Sequence, residues 1–408
     1  MVIRNLSRSS SVRAAALSLG ALVLLSSPVA ASDVPAEPAP PRPLPAYSST
    51  LLDRPGVQVR PGPGAPGLPD GVSARAWLVA DAGTGEVLAA RDAHLPLPPA
   101  STLKSLFALA TLPRLDPGLR HVVAEHELDD VGEGSSMVGV AEGRAYRVSD
   151  LWRGVFLSSG NDAVHVLAGL NGGLEKTVRE MRAKARELGA NDTNVVSPDG
   201  YDADGQVSSA YDLAVFGRAG LADPEFARYC STRVAHFPAG GWSYPIQNTN
   251  RLLTGADGVA PYPGLLGVKN GYTSHAGSTL ISAAQRGGRT LVVSVMNPRG
   301  GSGRAVYEEA RSLLDWGFAA AGKVRPVGSL QPPPERTRTD SAPHPAGAAG
   351  RLDLAVQPDD SEWPAVLLVV AGSVVLLAGC VVAARRRAVR RRRATVARRR
   401  ADPERVVE

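Results

Sequence analysis

The spacing of apolar residues changes twice between residues 72 and 325, from strand-like to helical and back again. Short apolar runs at 76–80 and 86–90 flank a glycine-containing turn and predict a β-hairpin. Longer runs with helical spacing follow, and they predict helices over 101–112, 149–157, 163–170, 174–188 and 209–219. Strands are then predicted at 265–269, 280–284 and 290–295, before an amphipathic helix over 303–320.

This order of strands, helices, strands and a final helix predicts an α+β fold. We expect an antiparallel sheet flanked by helices, built from both ends of the region, with the middle helices inserted as a lobe. Pairing of the first hairpin with the late strands is a hypothesis at this point.

The segments before and after this region differ from it in composition. Residues 1–31 have a basic start, an apolar run and small residues near position 31, which is the pattern of a secretory signal peptide. An uncleaved anchor is the alternative. Prolines crowd residues 32–71 and 326–362, which predicts extended linkers on either side of a folded domain at 72–325.

The C-terminal part of the chain has the pattern of a membrane anchor. Residues 363–384 contain no charged side chain and are long enough for one C-terminal transmembrane helix. The arginine-rich tail at 385–408 follows, and the positive-inside rule places it in the cytoplasm and the domain outside a cell membrane. We expect the helix and the tail to contact membrane lipid. A buried core helix is the alternative.

The positive charge of the chain lies at its two ends. Of the net charge of +6, residues 385–408 contribute +8 and residues 1–31 contribute +3, which leaves −5 for residues 32–384. A basic stripe on the folded domain is therefore not expected, and we predict no nucleic-acid partner.

Cysteine and histidine usage argues against two other classes of site. The chain has two cysteines, Cys230 and Cys380, and Cys380 lies in the predicted membrane span. We therefore expect no disulfide in the domain, whose stability must come from core packing. The seven histidines lack metal-ligand spacing, so we predict no metal and no cofactor.

Lysine is rare in this chain, since only five of the 45 basic residues are lysine. A buried lysine is able to lose its proton and act as a general base, whereas arginine is not. Two of the five lysines, Lys104 and Lys269, fall in short motifs that are typical of serine acyl-transferases.

Ser101 and Lys104 have the spacing Ser-x-x-Lys at the start of a predicted helix. Residues three apart share a helix face, so the Lys104 amine is placed to take the proton of the Ser101 hydroxyl. The backbone N–H of Ser101 would lie at the helix N-terminus, where it could stabilise an oxyanion. Alone, the pair also fits a capping serine and an exposed lysine.

The second motif is Ser159, Gly160 and Asn161, between two predicted helices. Ser159 is a candidate for proton relay to a leaving amine, and Asn161 for holding a substrate amide. Ordinary turn composition is the alternative.

The third motif is Lys269, Asn270 and Gly271, at the end of a predicted strand. Lys269 offers a fixed positive charge to a substrate carboxylate, and Gly271 permits close approach of a ligand backbone. A lysine in a hairpin turn is the alternative. The three motifs in this order are far more specific than any one of them.

With segments 99–102, 158–163 and 267–273, the chain resembles the serine-type D-alanyl-D-alanine carboxypeptidases. These are the low-molecular-mass penicillin-binding proteins of the β-lactamase/transpeptidase-like superfamily. The resemblance covers roughly residues 72–320 and extends to segments 194–200 and 248–253.

The resemblance implies a β-lactamase/transpeptidase-like fold and a role for each motif. Ser101 would be the acylated nucleophile, Lys104 its base, and Ser159 and Asn161 the second motif. The substrate-binding residues would be Lys269, Asn270, Gly271, Tyr272 and Thr273. The N–H groups of Ser101 and Tyr272 would form the oxyanion hole. Asn270 departs from the family, which usually has threonine there, so its effect on substrate preference and β-lactam affinity is open.

The function implied is penicillin-sensitive removal of the terminal D-alanine from peptidoglycan stem pentapeptides, with β-lactams as inhibitors. One alternative is a serine β-lactamase, for which Glu187 and Asn191 match a Glu-x-x-x-Asn pattern. Another alternative is a catalytically silent scaffold that binds the cell wall.

Overall fold

An antiparallel sheet of seven strands forms the middle layer of the fold in residues 51–300 and 303–330, the part of the chain that the computed structural model describes. The strands of this part are β1 (Val57–Val59), β2 (Ala74–Asp81), β3 (Glu86–Arg91), β4 (Arg120–Val122), β5 (Ala145–Arg147), β6 (Val234–Pro238), β7 (Ser243–Gln247), β8 (Leu265–Thr273), β9 (Gly277–Arg286), β10 (Arg289–Pro298) and β11 (Gly328–Ser329). Its helices are α1 (Lys104–Thr111), α2 (Val148–Leu157), α3 (Asn161–Leu170), α4 (Leu174–Glu187), α5 (Ala210–Leu221), α6 (Pro224–Ser231), α7 (Arg251–Thr254) and α8 (Ala305–Ala320).

The sheet is assembled from both ends of the described region. Its strand order is β1-β3-β2-β10-β9-β8, and β11 also pairs with β3. β2 pairs antiparallel with β10, from Asp81 opposite Leu291 to Ala74 opposite Pro298. The hypothesis that the first hairpin pairs with the late strands is therefore confirmed, and β8 is left as an edge strand.

The two faces of the sheet bury two separate cores, because side chains alternate between the faces of a strand. In β2, Leu78 and Ala80 contribute to the core that most of the helices cover, whereas Trp77 and Val79 contribute to the core beneath α8. Burial of each large apolar side chain stabilises the fold by roughly 1.5–3 kcal/mol. The predicted α+β class, with an antiparallel sheet flanked by helices, is confirmed.

The predicted helices are present, with shifted ends. The helix expected over 163–170 begins at Asn161, so this residue lies in a first helical turn and not in a loop. The features not predicted from the sequence include α6, α7, the β4–β5 pair and the β6–β7 hairpin. The start of α6 has a recognisable signal, because the Asp223 carboxylate caps it and Pro224 occupies its first position.

The described fold includes residues on both sides of the boundaries predicted at 72 and 325. β1 pairs with β3 on the N-terminal side, where Leu52 is buried, and β11 pairs with β3 on the C-terminal side, where Leu330 is buried. Proline-rich sequence around β1 is compatible with an edge strand, which need not donate every backbone hydrogen bond. The predicted signal peptide at 1–31, residues 32–50 of the first linker, residues 331–362 of the second linker, the anchor at 363–384 and the tail at 385–408 lie outside the described residues.

Among the helices at 51–300 and 303–330, none has the length and apolar content needed to cross a membrane. Cys230 is a buried free thiol, and burial raises its pKa to about 12. Cys380 lies outside the described residues.

Candidate active site

Ser101 and Lys104 meet as their spacing predicts. Ser101 lies on the short 3-10 turn Ala100–Leu103, which leads directly into α1, and Lys104 is the first residue of that helix. Lys104 Nζ donates a hydrogen bond of 2.8 Å to Ser101 Oγ. The lysine side chain is fully buried, which excludes the alternative of a solvated surface lysine.

Burial makes the Lys104 ammonium group more acidic than that of an ordinary lysine, so its neutral amine is available to act as a base. Desolvation lowers the pKa of its amine to about 8, against the opposing effects of the Asp199 and Asp162 carboxylates. At pH 7 roughly one tenth of the molecules would then carry a neutral lysine. A second hydrogen bond, of 2.6 Å, runs from Lys104 Nζ to the backbone carbonyl of Asp199.

The turn that carries Ser101 is anchored to the sheet. The Pro99 carbonyl accepts hydrogen bonds from Thr102 Oγ1 at 2.5 Å and from Thr279 Oγ1, on β9, at 2.9 Å. Ala100 has a φ of +49°, which is uncommon for a residue with a side chain and costs free energy. The anchors on both sides of Ala100 hold this conformation and so fix the position of Ser101.

The second motif presents unsatisfied polar atoms. Ser159 and Asn161 are both buried, and neither Ser159 Oγ nor Asn161 Oδ1 has a hydrogen-bond partner among the described residues. Asn161 Nδ2 donates to Ser135 Oγ at 3.0 Å, which fixes the orientation of the amide. Leaving a buried polar group unpaired costs about 1–3 kcal/mol, so these atoms are suited to pairing with a substrate.

Asp162 fixes the loop opposite the second motif. Its carboxylate accepts hydrogen bonds from the backbone N–H groups of Val138, Gly139 and Val140, at distances of 2.8–3.0 Å. Asn161 and Asp162 are the first two residues of α3. The Asp162 hydrogen bonds therefore hold the loop at 138–140 next to the start of the helix that carries Asn161.

The third motif lies on the edge strand β8, beside the nucleophile. A Cβ added to Gly271 would lie 2.6 Å from the backbone nitrogen of Ser101, so the strand approaches this close only because residue 271 is glycine. Lys269 shares that face of the strand and is fully buried. Burial, and then the positive charge of Lys104, hold the Lys269 pKa well below its usual value. Lys269 Nζ donates to the Asn270 carbonyl at 2.8 Å.

The other predicted residues of β8 have different surroundings. Asn270 Oδ1 accepts a hydrogen bond of 3.0 Å from Thr249 Oγ1, and Tyr272 is 73% exposed. Thr273 Oγ1 donates to Asp202 Oδ1 at 2.7 Å, so its hydroxyl ties the end of β8 to a neighbouring loop.

Several residues that shape the site were not identified from the sequence: Ser135, Asp162, Asp199, Thr249 and Thr279. Three of them, Asp162, Asp199 and Thr249, fall in the segments 158–163, 194–200 and 248–253 that carry the resemblance. The hydrogen bond from Lys104 to the Asp199 carbonyl could not be predicted from residue types, because every residue has a backbone carbonyl.

Glu187 does not have the surroundings expected of a base in a serine β-lactamase. It is the last residue of α4, its side chain is 64% exposed, and it pairs with Lys184 at 2.8 Å. In residues 51–300 and 303–330 there is also no group of three or more side chains that could hold a metal ion.

A serine hydrogen-bonded to a buried lysine, next to an edge strand of an antiparallel sheet, is the arrangement of a serine acyl-transferring enzyme with the β-lactamase/transpeptidase-like fold. Known proteins support this class. The D-alanyl-D-alanine carboxypeptidase family, peptidase family S11, matches residues 64–300.

Curated relatives carry the same description. The chain is 42% identical over 266 residues to the D-alanyl-D-alanine carboxypeptidase DacB2 of Mycobacterium tuberculosis, which covers 64% of this chain and 88% of DacB2. It is 36% identical over 262 residues to the carboxypeptidase DacD of Escherichia coli, which covers 61% of this chain and 64% of DacD.

Solved structures agree with the sequence relatives. A crystal structure of a D-alanyl-D-alanine carboxypeptidase from M. tuberculosis superposes with a TM-score of 0.61 at 40% identity, covering 67% of this chain and all of that one. The Streptomyces K15 DD-transpeptidase has a TM-score of 0.58 at 25% identity, covering 62% of this chain. The chain belongs to the D-alanyl-D-alanine carboxypeptidase family and is a serine-type hydrolase of that class.

Proposed function

We propose that this enzyme removes the terminal D-alanine from peptidoglycan stem pentapeptides through an acyl-enzyme on Ser101. The observation that carries the proposal is the 2.8 Å hydrogen bond between the buried Lys104 amine and Ser101 Oγ. A neutral lysine in this position takes the serine proton as Oγ attacks the carbonyl carbon of the penultimate residue.

The bond changes of this reaction balance with water as the second substrate. Attack by Ser101 Oγ forms an ester, and the peptide C–N bond breaks. The serine proton passes from Lys104 to the leaving amine of D-alanine, with Ser159 as the relay. Water then attacks the ester and Lys104 accepts its proton. Lys104 returns this proton to Ser101 Oγ as the ester C–O bond breaks, which releases the tetrapeptide and restores the serine hydroxyl.

Substrate binding follows from the groups that face the nucleophile. Asn161 Oδ1 would accept a substrate amide N–H, which satisfies an otherwise unpaired buried oxygen. The N–H groups of Ser101 and Tyr272 would hold the oxyanion. The substrate carboxylate would lie near Lys269 and Asn270, and its negative charge would raise the depressed pKa of Lys269. Thr273 contributes by holding the end of β8 in place.

The same nucleophile accounts for the proposed sensitivity to penicillin. Attack of Ser101 on a β-lactam carbonyl opens the ring and leaves a covalent ester. The exposed, ion-paired Glu187 argues against a second carboxylate that would hydrolyse this ester quickly. We therefore favour a penicillin-sensitive carboxypeptidase over a β-lactamase.

We also propose that the enzyme works outside the cytoplasm, tethered to a cell membrane. Sequence features support this location: the signal-like residues 1–31, the uncharged segment 363–384 and the arginine-rich tail at 385–408. The prolines between the domain and the uncharged segment would hold the domain away from the lipid surface.

Release of D-alanine from a peptide ending in D-alanyl-D-alanine tests the proposed function. Ser101→Ala and Lys104→Met should each abolish release. Lys184→Met is the matched control, because Lys184 is a surface lysine paired with Glu187, and this variant should keep wild-type activity. D-alanine release by Ser101→Ala at the wild-type rate would refute the proposal. Absence of release by the wild-type enzyme would favour the silent scaffold.

A further inference from the structure

The carbonyl that holds Lys104 belongs to a segment packed tightly against the nucleophile. Asp199 accepts the 2.6 Å hydrogen bond from Lys104 Nζ through its backbone oxygen. The next residue, Gly200, has a φ of +82°, and a Cβ there would lie 2.0 Å from the Ala100 carbonyl oxygen. The position of this segment therefore determines where the lysine amine and the serine hydroxyl meet.

The Asp199 side chain fixes the segment from inside. Its Oδ1 accepts hydrogen bonds from Ser197 Oγ at 2.7 Å and from the Tyr201 N–H at 2.9 Å. Its Oδ2 lies 3.4 Å from Nε2 of His165, and both side chains are buried. His165 lies on α3 four residues after Asn161, which is about one helical turn, so the helix of the second motif also reaches the segment that holds Lys104.

The Asp199 carboxylate is ionised. Burial alone would raise its pKa, but the His165 contact, the positive charge of Lys104 and the hydrogen bonds from the Tyr201 N–H and Ser197 together hold the Asp199 pKa well below its usual value. An ionised carboxylate only accepts hydrogen bonds, so Nε2 of His165 carries the proton in this contact.

We infer that His165 is a positioning residue for catalysis: through the Asp199 carboxylate it fixes the carbonyl that holds Lys104 against Ser101. The inference rests on the proposed role of Lys104 as the base. It does not place His165 in contact with the substrate.

The charges around Lys104 predict in which direction the pH dependence of acylation shifts when Asp199 is changed. The groups that face the lysine are the Asp199 carboxylate, the Asp162 carboxylate on α3 and the Lys269 amine on β8. Both carboxylates raise the Lys104 pKa, and burial lowers it. Loss of the Asp199 charge would therefore lower the Lys104 pKa, and acylation would reach its plateau at a lower pH.

The test compares acylation by benzylpenicillin as a function of pH in the wild-type enzyme and in paired variants. His165→Leu removes the donor to Asp199 and should slow acylation about tenfold or more, as expected for losing one hydrogen bond to a charged group. His165→Gln keeps an N–H donor at a similar reach and should stay within about threefold of wild type. Asp199→Asn should shift the rising limb of the pH–rate profile for acylation to lower pH.

A second His–carboxylate pair supplies a matched control. His121 Nε2 lies 2.7 Å from Glu127 Oε2. The hydrogen bonds of Lys104 Nζ go instead to Ser101 and Asp199. His121→Leu should leave the acylation rate and its pH limb unchanged. Thermal melting and active-site titration would restrict the comparison to folded enzyme.

The possible results separate this inference from the proposed function. Slow acylation in His165→Leu, recovery in His165→Gln and a lower pH limb in Asp199→Asn would support the positioning role. Equal rates in all three variants and wild type, or equal slowing without a shift of the limb, would overturn it. If His165→Leu does not fold, the acylation rate of Asp199→Asn decides, because this variant weakens the same contact from the carboxylate side: slow acylation would support the positioning role, and the wild-type rate would overturn it. If the wild-type enzyme is not acylated at all, the proposed function fails instead.

Discussion

Gly200→Ala tests how tightly the segment after Asp199 is packed against the nucleophile. The new methyl group would lie 2.0 Å from the Ala100 carbonyl oxygen and 3.1 Å from the Ser101 nitrogen, and φ at this position is +82°. A left-handed backbone costs a residue with a side chain roughly 1–2 kcal/mol. Relief of an overpacked contact costs about 1–3 kcal/mol more. We expect a total destabilisation of about 2–5 kcal/mol.

Gly205→Ala separates these two contributions. Its φ of +79° is nearly the same, but its nearest neighbour, Asn194 Nδ2, would lie 3.7 Å from the added Cβ. This control should lose only about 1–2 kcal/mol, the cost of the backbone conformation. It should be acylated at the wild-type rate.

Urea unfolding and benzylpenicillin acylation measure the two consequences. We expect the free energy of unfolding to fall further in Gly200→Ala than in Gly205→Ala, by about 1–3 kcal/mol. We also expect acylation to slow in Gly200→Ala alone, because the turn that carries Ser101 must move. Equal stability of the two variants, together with wild-type acylation in both, would refute the packing argument.

Three further predictions address the site itself. The acylation rate, measured by stopped-flow, should rise with pH and level off above a pH of about 8, because only the neutral Lys104 amine accepts the serine proton. A flat profile from pH 6 to 9 would contradict this. Thr249→Val should weaken the preference for peptides with a free C-terminal carboxylate over their amides, because it removes the hydroxyl that orients Asn270. Thr249→Ser should preserve this preference. The same preference in Thr249→Val and Thr249→Ser would count against the role of the hydroxyl. Glu187→Gln should leave the lifetime of the penicillin adduct unchanged, and a much longer lifetime would revive the β-lactamase alternative.

Short-range features of the site could be predicted from the sequence. The Ser101–Lys104 contact depends only on helical spacing, which the apolar pattern of the following residues already indicates. The β9–β10 hairpin follows from two apolar runs around a glycine-containing turn. Its pairing with β2 was a hypothesis drawn from the order of the elements, and the register of that pairing was not predicted.

Features that depend on tertiary contacts could not be predicted. The Asp199 carbonyl and the Thr279 hydroxyl reach the site from positions 95 and 180 residues away from the groups they contact. The β6–β7 hairpin was missed because only Phe237 and Ile246 of its strand residues are buried, so it lacks the long apolar run of a core strand. The positive φ angles of Ala100 and Ser159 could not be predicted from residue type, because neither residue is glycine.

The most direct test of the proposed mechanism is an intact-mass time course with benzylpenicillin, followed by peptide mapping of the adduct. We expect a single ester on Ser101 that persists for many minutes after free drug is removed, and no adduct in Ser101→Ala. An adduct on another residue, or no adduct on the folded wild-type enzyme, would contradict the assignment of Ser101 as the nucleophile.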